Sequence, residues 1–230
     1  MKISGFLAFS LLDFPGVPAS VVFTQGCNFR CPFCHNPELV FPNADTTLKD
    51  EELFTTLSKR KGIVKGVVIT GGEPTLYKDL IDFIYKIKSN YNLSVKLDTN
   101  GSNPAILEKL IIRGLLDFIS IDFKSSSSKY HIATGLPQKV AKKYFQNLLT
   151  SIELAKKSRI PFEVRVTVTP GLIGLEDLIE IRNVIGDQVT LVLQRFRNLK
   201  TLDPRWQNIS PYQDEVLLTF AQKVRANLRL

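Results

Sequence analysis

Six short runs rich in Val, Ile, Leu and Phe, at 19–24, 65–70, 93–98, 118–123, 162–168 and 189–194, alternate with helical windows at 47–60, 76–89, 104–113, 139–158 and 174–185. Nothing else in the sequence constrains the fold as tightly. A repeated strand–helix unit builds a parallel sheet with right-handed crossovers, and the runs are apolar as buried parallel strands tend to be. Thr46 or Thr47 is placed to cap the first helix, with Asp50 and Glu51 in its opening turn. Pro104 after Asn103 suits another helix start. A last amphipathic helix is expected over 211–228, with Val216, Leu217, Phe220 and Val224 on one face. The 230 residues suit one sizeable core and no linker divides them, so a single domain over 1–230 is expected, with a C-terminal extension from about 196.

Sheets of this kind take ligands beyond the carboxyl ends of their strands. The special residues gather there. Gly26-Cys27 follows the first run, Gly71-Gly72-Glu73-Pro74 the second and Asp98-Thr99-Asn100-Gly101 the third. Asp122 and Lys124 follow the fourth, Thr169-Pro170-Gly171 the fifth and Gln194-Arg195 the sixth.

The chain has three cysteines, Cys27, Cys31 and Cys34, all inside the loop 26–37. An odd number so closely spaced excludes a disulfide framework. The spacing C-x3-C-x2-C suits three thiolates around one corner of an iron–sulfur cube, and with no fourth cysteine one iron is left open or takes another ligand; an open position is the usual mark of a catalytic site. Zinc held by three cysteines and a histidine competes, but His35 adjoins Cys34 and His131 lies on a distant segment. Inert buried thiols are the third reading, and Asn28, Arg30 and Pro32 are poor core material for it.

Formal net charge is +8, and 124–165 carries nine lysines and arginines against Glu153 and Glu163. That stretch is read as the solvated face of a Lys-rich helix, with docking to an acidic protein surface as its other use. No nucleic-acid motif accompanies it, so no direct nucleic-acid partner is expected. The apolar run Gly5 to Leu12 has the length of a leader's apolar region, but Asp13 and Pro15 follow with no small-residue cleavage site. No stretch reaches the ~20 apolar residues of a membrane span. A cytoplasmic chain with reduced thiols and no membrane association is expected.

The cysteine loop, with Phe33 just before its third cysteine, and Gly71-Gly72-Glu73-Pro74 about forty residues later together resemble the radical S-adenosylmethionine (SAM) superfamily. The resemblance implies a partial (β/α)6 TIM-like barrel and a 4Fe-4S cluster on Cys27, Cys31 and Cys34, with SAM chelating the open iron. It implies that the reduced cluster gives one electron to the sulfonium, releasing methionine and a 5′-deoxyadenosyl radical. Glycines at 71 and 72 would let the backbone approach the methionine moiety without a Cβ in the way, and Glu73 would accept from its ammonium. Phe33 counts among the cofactor-binding residues.

Asp13-Phe14-Pro15-Gly16, Cys34-His35-Asn36, Asp98-Thr99-Asn100-Gly101, Asp122-Phe123-Lys124 and Val164-Arg165-Val166 resemble the glycyl-radical-enzyme activases. The run Phe23 to Pro32 most resembles the activating proteins of anaerobic ribonucleoside-triphosphate reductase. That resemblance implies a glycyl radical enzyme as partner, hydrogen abstraction from a glycine Cα, and a flavodoxin or ferredoxin as electron donor. It puts Asp98, Asp122, Lys124 and Arg165 near the SAM ribose or carboxylate, or a monovalent cation; a structural ion-pair network is the alternative for these four. Gln194 stands where pyruvate formate-lyase activases usually place a histidine, so the resemblance assigns it no role, and Val17-Pro18-Ala19, which lacks their arginine, weighs against a pyruvate formate-lyase partner. A pyruvate formate-lyase-like partner, a small-molecule substrate and a zinc-stabilised binding module stay open as alternatives.

Overall fold

The computed structural model describes residues 1–42 and 48–229. Eight strands form one sheet in strictly sequential order. They are β1 (Ile3–Ser10), β2 (Ala19–Thr24), β3 (Gly66–Gly71), β4 (Ser94–Thr99), β5 (Phe118–Asp122), β6 (Phe162–Val168), β7 (Thr190–Arg195) and β8 (Asn227–Arg229). Helices α1 (Asp50–Lys59), α2 (Leu80–Tyr91), α3 (Pro104–Ile112), α4 (Tyr130–Thr134), α5 (Gln138–Lys157), α6 (Leu175–Ile185) and α7 (Asp214–Lys223) lie between them. From β2 to β8 every neighbouring pair is parallel, and β1 runs antiparallel to β2. The expected parallel α/β sheet is present, built as an open partial barrel.

The two faces of the sheet differ because the strands alternate more than their apolar composition suggests. Val67, Ile69, Val95, Leu97, Ile119, Ile121, Val164 and Val166 are fully buried in the main core, with Leu80, Ile84 and Ile87 of α2, Leu148 and Ile152 of α5, and Ile181 and Ile185 of α6. The other face carries Lys96, Asp98, Ser120, Asp122, Glu163 and Arg165, at alternate positions of β4, β5 and β6. At its amino end that inner face is closed by an apolar plug of Phe14, Ala19, Val21 and Val68 with Phe118. The rings of Phe14 and Phe118 approach to 6.0 Å. A Cβ on Gly66 would meet the Phe14 ring at 2.9 Å, so that glycine makes room for the plug. A residue beside β2 touching one on β5 shows how far the sheet curls.

The apolar N-terminal run forms a strand: β1 pairs along β2, and Ile3 is fully buried. The capping residues Thr46 and Thr47 lie outside the described residues. The helix expected over 211–228 stops at Lys223, because Arg225 adopts a left-handed φ of 50° and the chain turns into β8 along β7. Val224 is buried as expected, but as the residue after the helix.

Arg182 of α6 secures this turn. Its guanidinium donates to the carbonyls of Val224 (2.8 Å), Arg225 (2.9 Å), Gly186 (2.9 Å) and Val189 (2.9 Å). Four carbonyls at the ends of elements share one cation, and of these Gly186 O also accepts from Val189 N–H at 3.3 Å. Replacing Arg182 with Met keeps most of the volume and removes these donors, and is expected to cost about 2–4 kcal/mol of stability. Urea unfolding of the two proteins measures this, and equal midpoints would refute the assignment.

Candidate functional site

The loop after β2 crosses the carboxyl end of the sheet and is stitched by its own backbone. Gly26 N–H donates to Leu39 O at 2.7 Å and Cys27 N–H to Val40 O at 3.0 Å, pairing the two limbs. Arg30 folds back to donate to the carbonyls of Cys27 (2.7 Å) and Phe29 (2.8 Å) and lies 4.7 Å over the Phe41 ring. Cys34 N–H closes a tight turn on Cys31 O at 3.0 Å. The result holds three sulfurs at one end of the barrel, with Cys31 buried and Cys27 and Cys34 partly so. Burial pushes the thiol of Cys27 up to about 11 and that of Cys31 up to about 12, while the Lys124 ammonium pulls both down.

The second turn, after β3, packs directly on this loop. Gly71 has φ +113°, and a Cβ there would lie 2.3 Å from Thr24 N; a Cβ on Gly72 would lie 2.0 Å from Gly26 O. These glycines are required first by backbone packing of the β3 turn on the cysteine loop, whereas the sequence suggested approach to a ligand. Glu73 N–H donates to Gly26 O at 2.9 Å, which extends the same contact.

Glu73 is 1% exposed. One carboxylate oxygen accepts from Thr75 N–H (3.1 Å), Thr75 Oγ1 (2.5 Å) and Thr99 Oγ1 (2.7 Å), and the other from Asn100 N–H (2.7 Å). All four donors are neutral. Burial raises its pKa, the hydrogen bonds oppose the rise, and no cation is among the main causes. A third turn, after β4, joins in through Asn100, whose Nδ2 donates to Asn28 Oδ1 at 2.9 Å. Asn28 in turn donates to Ser102 Oγ at 2.9 Å.

Asp98, Asp122, Lys124 and Arg165 do form an ion network, and it has a fifth member. Arg165 donates through Nη1 to Asp98 (3.0 Å) and through Nε to Asp122 (2.8 Å), and Lys124 reaches the other oxygen of Asp122 at 3.1 Å. The remaining oxygen of Asp98 takes Lys96, which is 1% exposed. The arginine and lysines hold both aspartates below the usual carboxylate range, against the effect of burial. The aspartates raise Lys124 and Arg165 in return. Lys96 was missed from sequence, although a lysine two residues before Asp98 in an apolar strand is a signal of an inward polar face. Thr75, Thr99, Asn28 and Asn100 were missed as well; their role depends on contacts between turns far apart in sequence.

One cavity of about 260 Å³ gathers the candidates. Cys27, Cys31, Cys34, Phe33, Gly71, Gly72, Glu73, Asp98, Asp122, Lys124 and Arg165 all line it, as does Gln194. His131 is on α4 and does not. Trp206 packs on the loop: its ring lies 6.0 Å from Phe33 and 6.4 Å from Phe196, and Asp203 N–H donates to Pro32 O at 3.0 Å. Among the described residues no three His, Cys, Asp or Glu side chains are grouped to hold a single metal ion, so the geometry does not favour the zinc site. Three sulfurs facing a cavity beside an ammonium-free buried carboxylate fit a larger group that brings its own positive charge.

Among the described residues no helix is long and apolar enough to cross a membrane. The Radical SAM superfamily model matches residues 21–185. A Methanocaldococcus jannaschii protein named for glycyl-radical enzyme activation is 30% identical over 215 residues, covering 93% of this chain and 88% of its own length. The pyruvate formate-lyase-activating enzyme of Streptococcus mutans is 28% identical over 216 residues, covering 86% of this chain and 78% of its own. Among solved structures, Streptococcus suis SuiB bound to S-adenosylmethionine shares the fold with a TM-score of 0.65 at 15% identity, over 91% of this chain and 49% of that one. The chain belongs to the radical SAM superfamily of enzymes, which implies a 4Fe-4S cluster and S-adenosylmethionine.

Proposed function

We propose that this enzyme is an activase that installs a glycyl radical on a partner enzyme, an anaerobic ribonucleoside-triphosphate reductase. The observation that carries the activase reading is the likeness, over nearly the whole of both chains, to a relative named for that activity. The departure at Val17-Pro18-Ala19 favours the reductase over a pyruvate formate-lyase as partner.

Cys27, Cys31 and Cys34 would hold three irons of the cluster, and the sequence offers no fourth cysteine for the remaining one. A reduced cluster held there would supply the one electron for cleaving SAM to methionine and the 5′-deoxyadenosyl group that abstracts hydrogen from the partner's glycine Cα. Glu73 binds the ammonium of SAM through a carboxylate that four neutral donors hold in place. Arg165 and Lys124 present positive charge toward the ligand's carboxylate and ribose, while Asp98 and Asp122 fix their direction. Both aspartates are engaged on both oxygens by Lys96, Arg165 and Lys124, so we assign no monovalent cation to them. Phe33, buried under Trp206, keeps water from the third cysteine.

Anaerobic reconstitution with iron and sulfide is expected to give a protein that cleaves SAM to methionine and 5′-deoxyadenosine under dithionite. Absence of cleavage from fully loaded protein would end the reading. Co-expression with a candidate reductase is expected to give the doublet of a glycyl radical in the EPR spectrum. SAM cleavage without that signal, but with turnover of a small molecule, would move the assignment to a small-molecule substrate. Replacing Glu73 with Gln removes the charge and leaves the cysteines intact. It is expected to weaken SAM binding about 10- to 100-fold, the loss of one charge-assisted hydrogen bond in a buried site, with the cluster's visible absorption unchanged. The single tryptophan, Trp206, is expected to lose emission when the cluster is assembled, because it lies against the residue preceding Cys34.

A further inference from the structure

The first turns of α5 carry charge of the wrong sign for a helix. Lys139, Lys142 and Lys143 stand within its first six residues, and no acidic residue occupies its first turn. A helix N-terminus carries positive partial charge, so lysines there oppose the dipole and carboxylates complement it. Three other helices place carboxylates there: α1 opens with Asp50, Glu51 and Glu52, α6 with Glu176 and Asp177, and α7 with Asp214 and Glu215, whereas α3 carries neither sign in its first turn. The three lysines fall at i, i+3 and i+4, on one face, and all are exposed. The opposite face, with Ala141, Phe145 and Leu148, is buried.

This end of α5 is fastened to the cysteine loop. Arg30 N–H donates to Thr134 O at 2.8 Å, just before α5 begins. Gly135 sits so close that a Cβ would lie 2.1 Å from Arg30 O. Tyr144, the neighbour of Lys143, meets the ring of Phe29 edge-on at 5.6 Å. The lysines are therefore carried rigidly beside the segment between Cys27 and Cys31. Further along the same helix, Lys156 is paired with Glu153 at 2.7 Å and stands at the end the dipole favours. Lys139, in the first turn, works against the dipole of its own helix, and Lys142 and Lys143 continue the same exposed face.

We propose that Lys139, Lys142 and Lys143 form the docking face for an acidic one-electron carrier protein that reduces the cluster. This rests on the activase reading to the extent that a cluster bound by Cys27, Cys31 and Cys34 must receive an electron. The carrier's reduced cofactor gives up one electron and the cluster takes it, with no proton or group transferred. Charge complementarity selects the partner: unneutralised lysines beside a helix N-terminus attract a cluster of carboxylates, and their attraction raises the association rate at low salt.

The test uses the reconstituted holoprotein and reduced flavodoxin as the acidic carrier, with cluster bleaching followed by stopped flow. The triple variant K139E/K142E/K143E is expected to lower the second-order rate at least tenfold at low salt and to flatten its salt dependence. Its reduction by dithionite, and dithionite-driven SAM cleavage, are expected to stay at the wild-type level. A second triple, K156E/K157E/R159E, changes charge equally at the far end of α5 and is expected to keep most of the flavodoxin rate. The inference is overturned if flavodoxin reduces wild type and the first triple equally fast, if both triples lose rate alike, or if flavodoxin does not reduce the wild-type cluster. Wild-type protein that fails to cleave SAM with dithionite would instead count against the activase reading. Folding is checked by thermal unfolding, where K139E/K142E/K143E is expected to melt no lower than wild type, since it corrects the charge at the start of α5.

Discussion

The inner face of the barrel depends on an alternating row of charge, with Lys96 buried and Asp98, Arg165, Asp122 and Lys124 half-buried. Each ion taken from water costs several kcal/mol, and only close pairing with satisfied hydrogen bonds offsets that. Here every oxygen of both aspartates has its own cation, and Arg165 bridges two strands to reach both. The register of β4, β5 and β6 is thereby tied twice, once by the backbone ladders and once by side chains. A slip of β4 by one residue would turn Lys96 and Asp98 into the layer of Val, Ile and Leu beneath the helices. The polar end of the barrel is a cavity because these side chains, unlike the plug around Phe14, do not fill it.

Above this row the cysteine loop and the turns after β3 and β4 act as one unit. Gly72 lies under Gly26, Glu73 accepts from Asn100, and Asn100 donates to Asn28 between Cys27 and Cys31. Displacing any one turn unpairs a buried polar group in another. Trp206 and Asp203 close the loop's remaining side through Phe33 and Pro32. The cysteines sit on a short irregular segment, yet they are held by regular elements on three sides.

Much of this was legible in the sequence because strand ends punctuate it. The six parallel strands appear where the apolar runs are, and the cofactor candidates fall at their carboxyl ends. What escaped reading depends on partners distant along the chain. Ile3–Ser10 has a leader's composition, and only pairing with β2 makes it a strand. Asn227–Arg229 continues an amphipathic pattern, and only the left-handed Arg225, its carbonyl held by Arg182, ends the helix before it. Gly71 and Gly72 are read from sequence as room for a ligand, but the close neighbour is the backbone of Thr24 and Gly26, which no local pattern reveals. The alternation of β4 turns Lys96 inward, beside Asp98.

The distribution of charge that remains says what kind of molecule the cavity suits. Asp98 and Asp122 are neutralised by their neighbours, so they add direction to Arg165 and Lys124 without attracting a cation of their own. Glu73, beside the cysteines, is the reverse: fully buried, fixed by four neutral donors, and raised in pKa by the absence of water. Lys124, half-buried on the other side and paired with Asp122, sends its field toward Cys27 and Cys31. The buried carboxylate of Glu73 therefore stands apart from the cations, at the opposite side of the cavity's cysteine end, and it is the group whose charge no cation of the chain offsets.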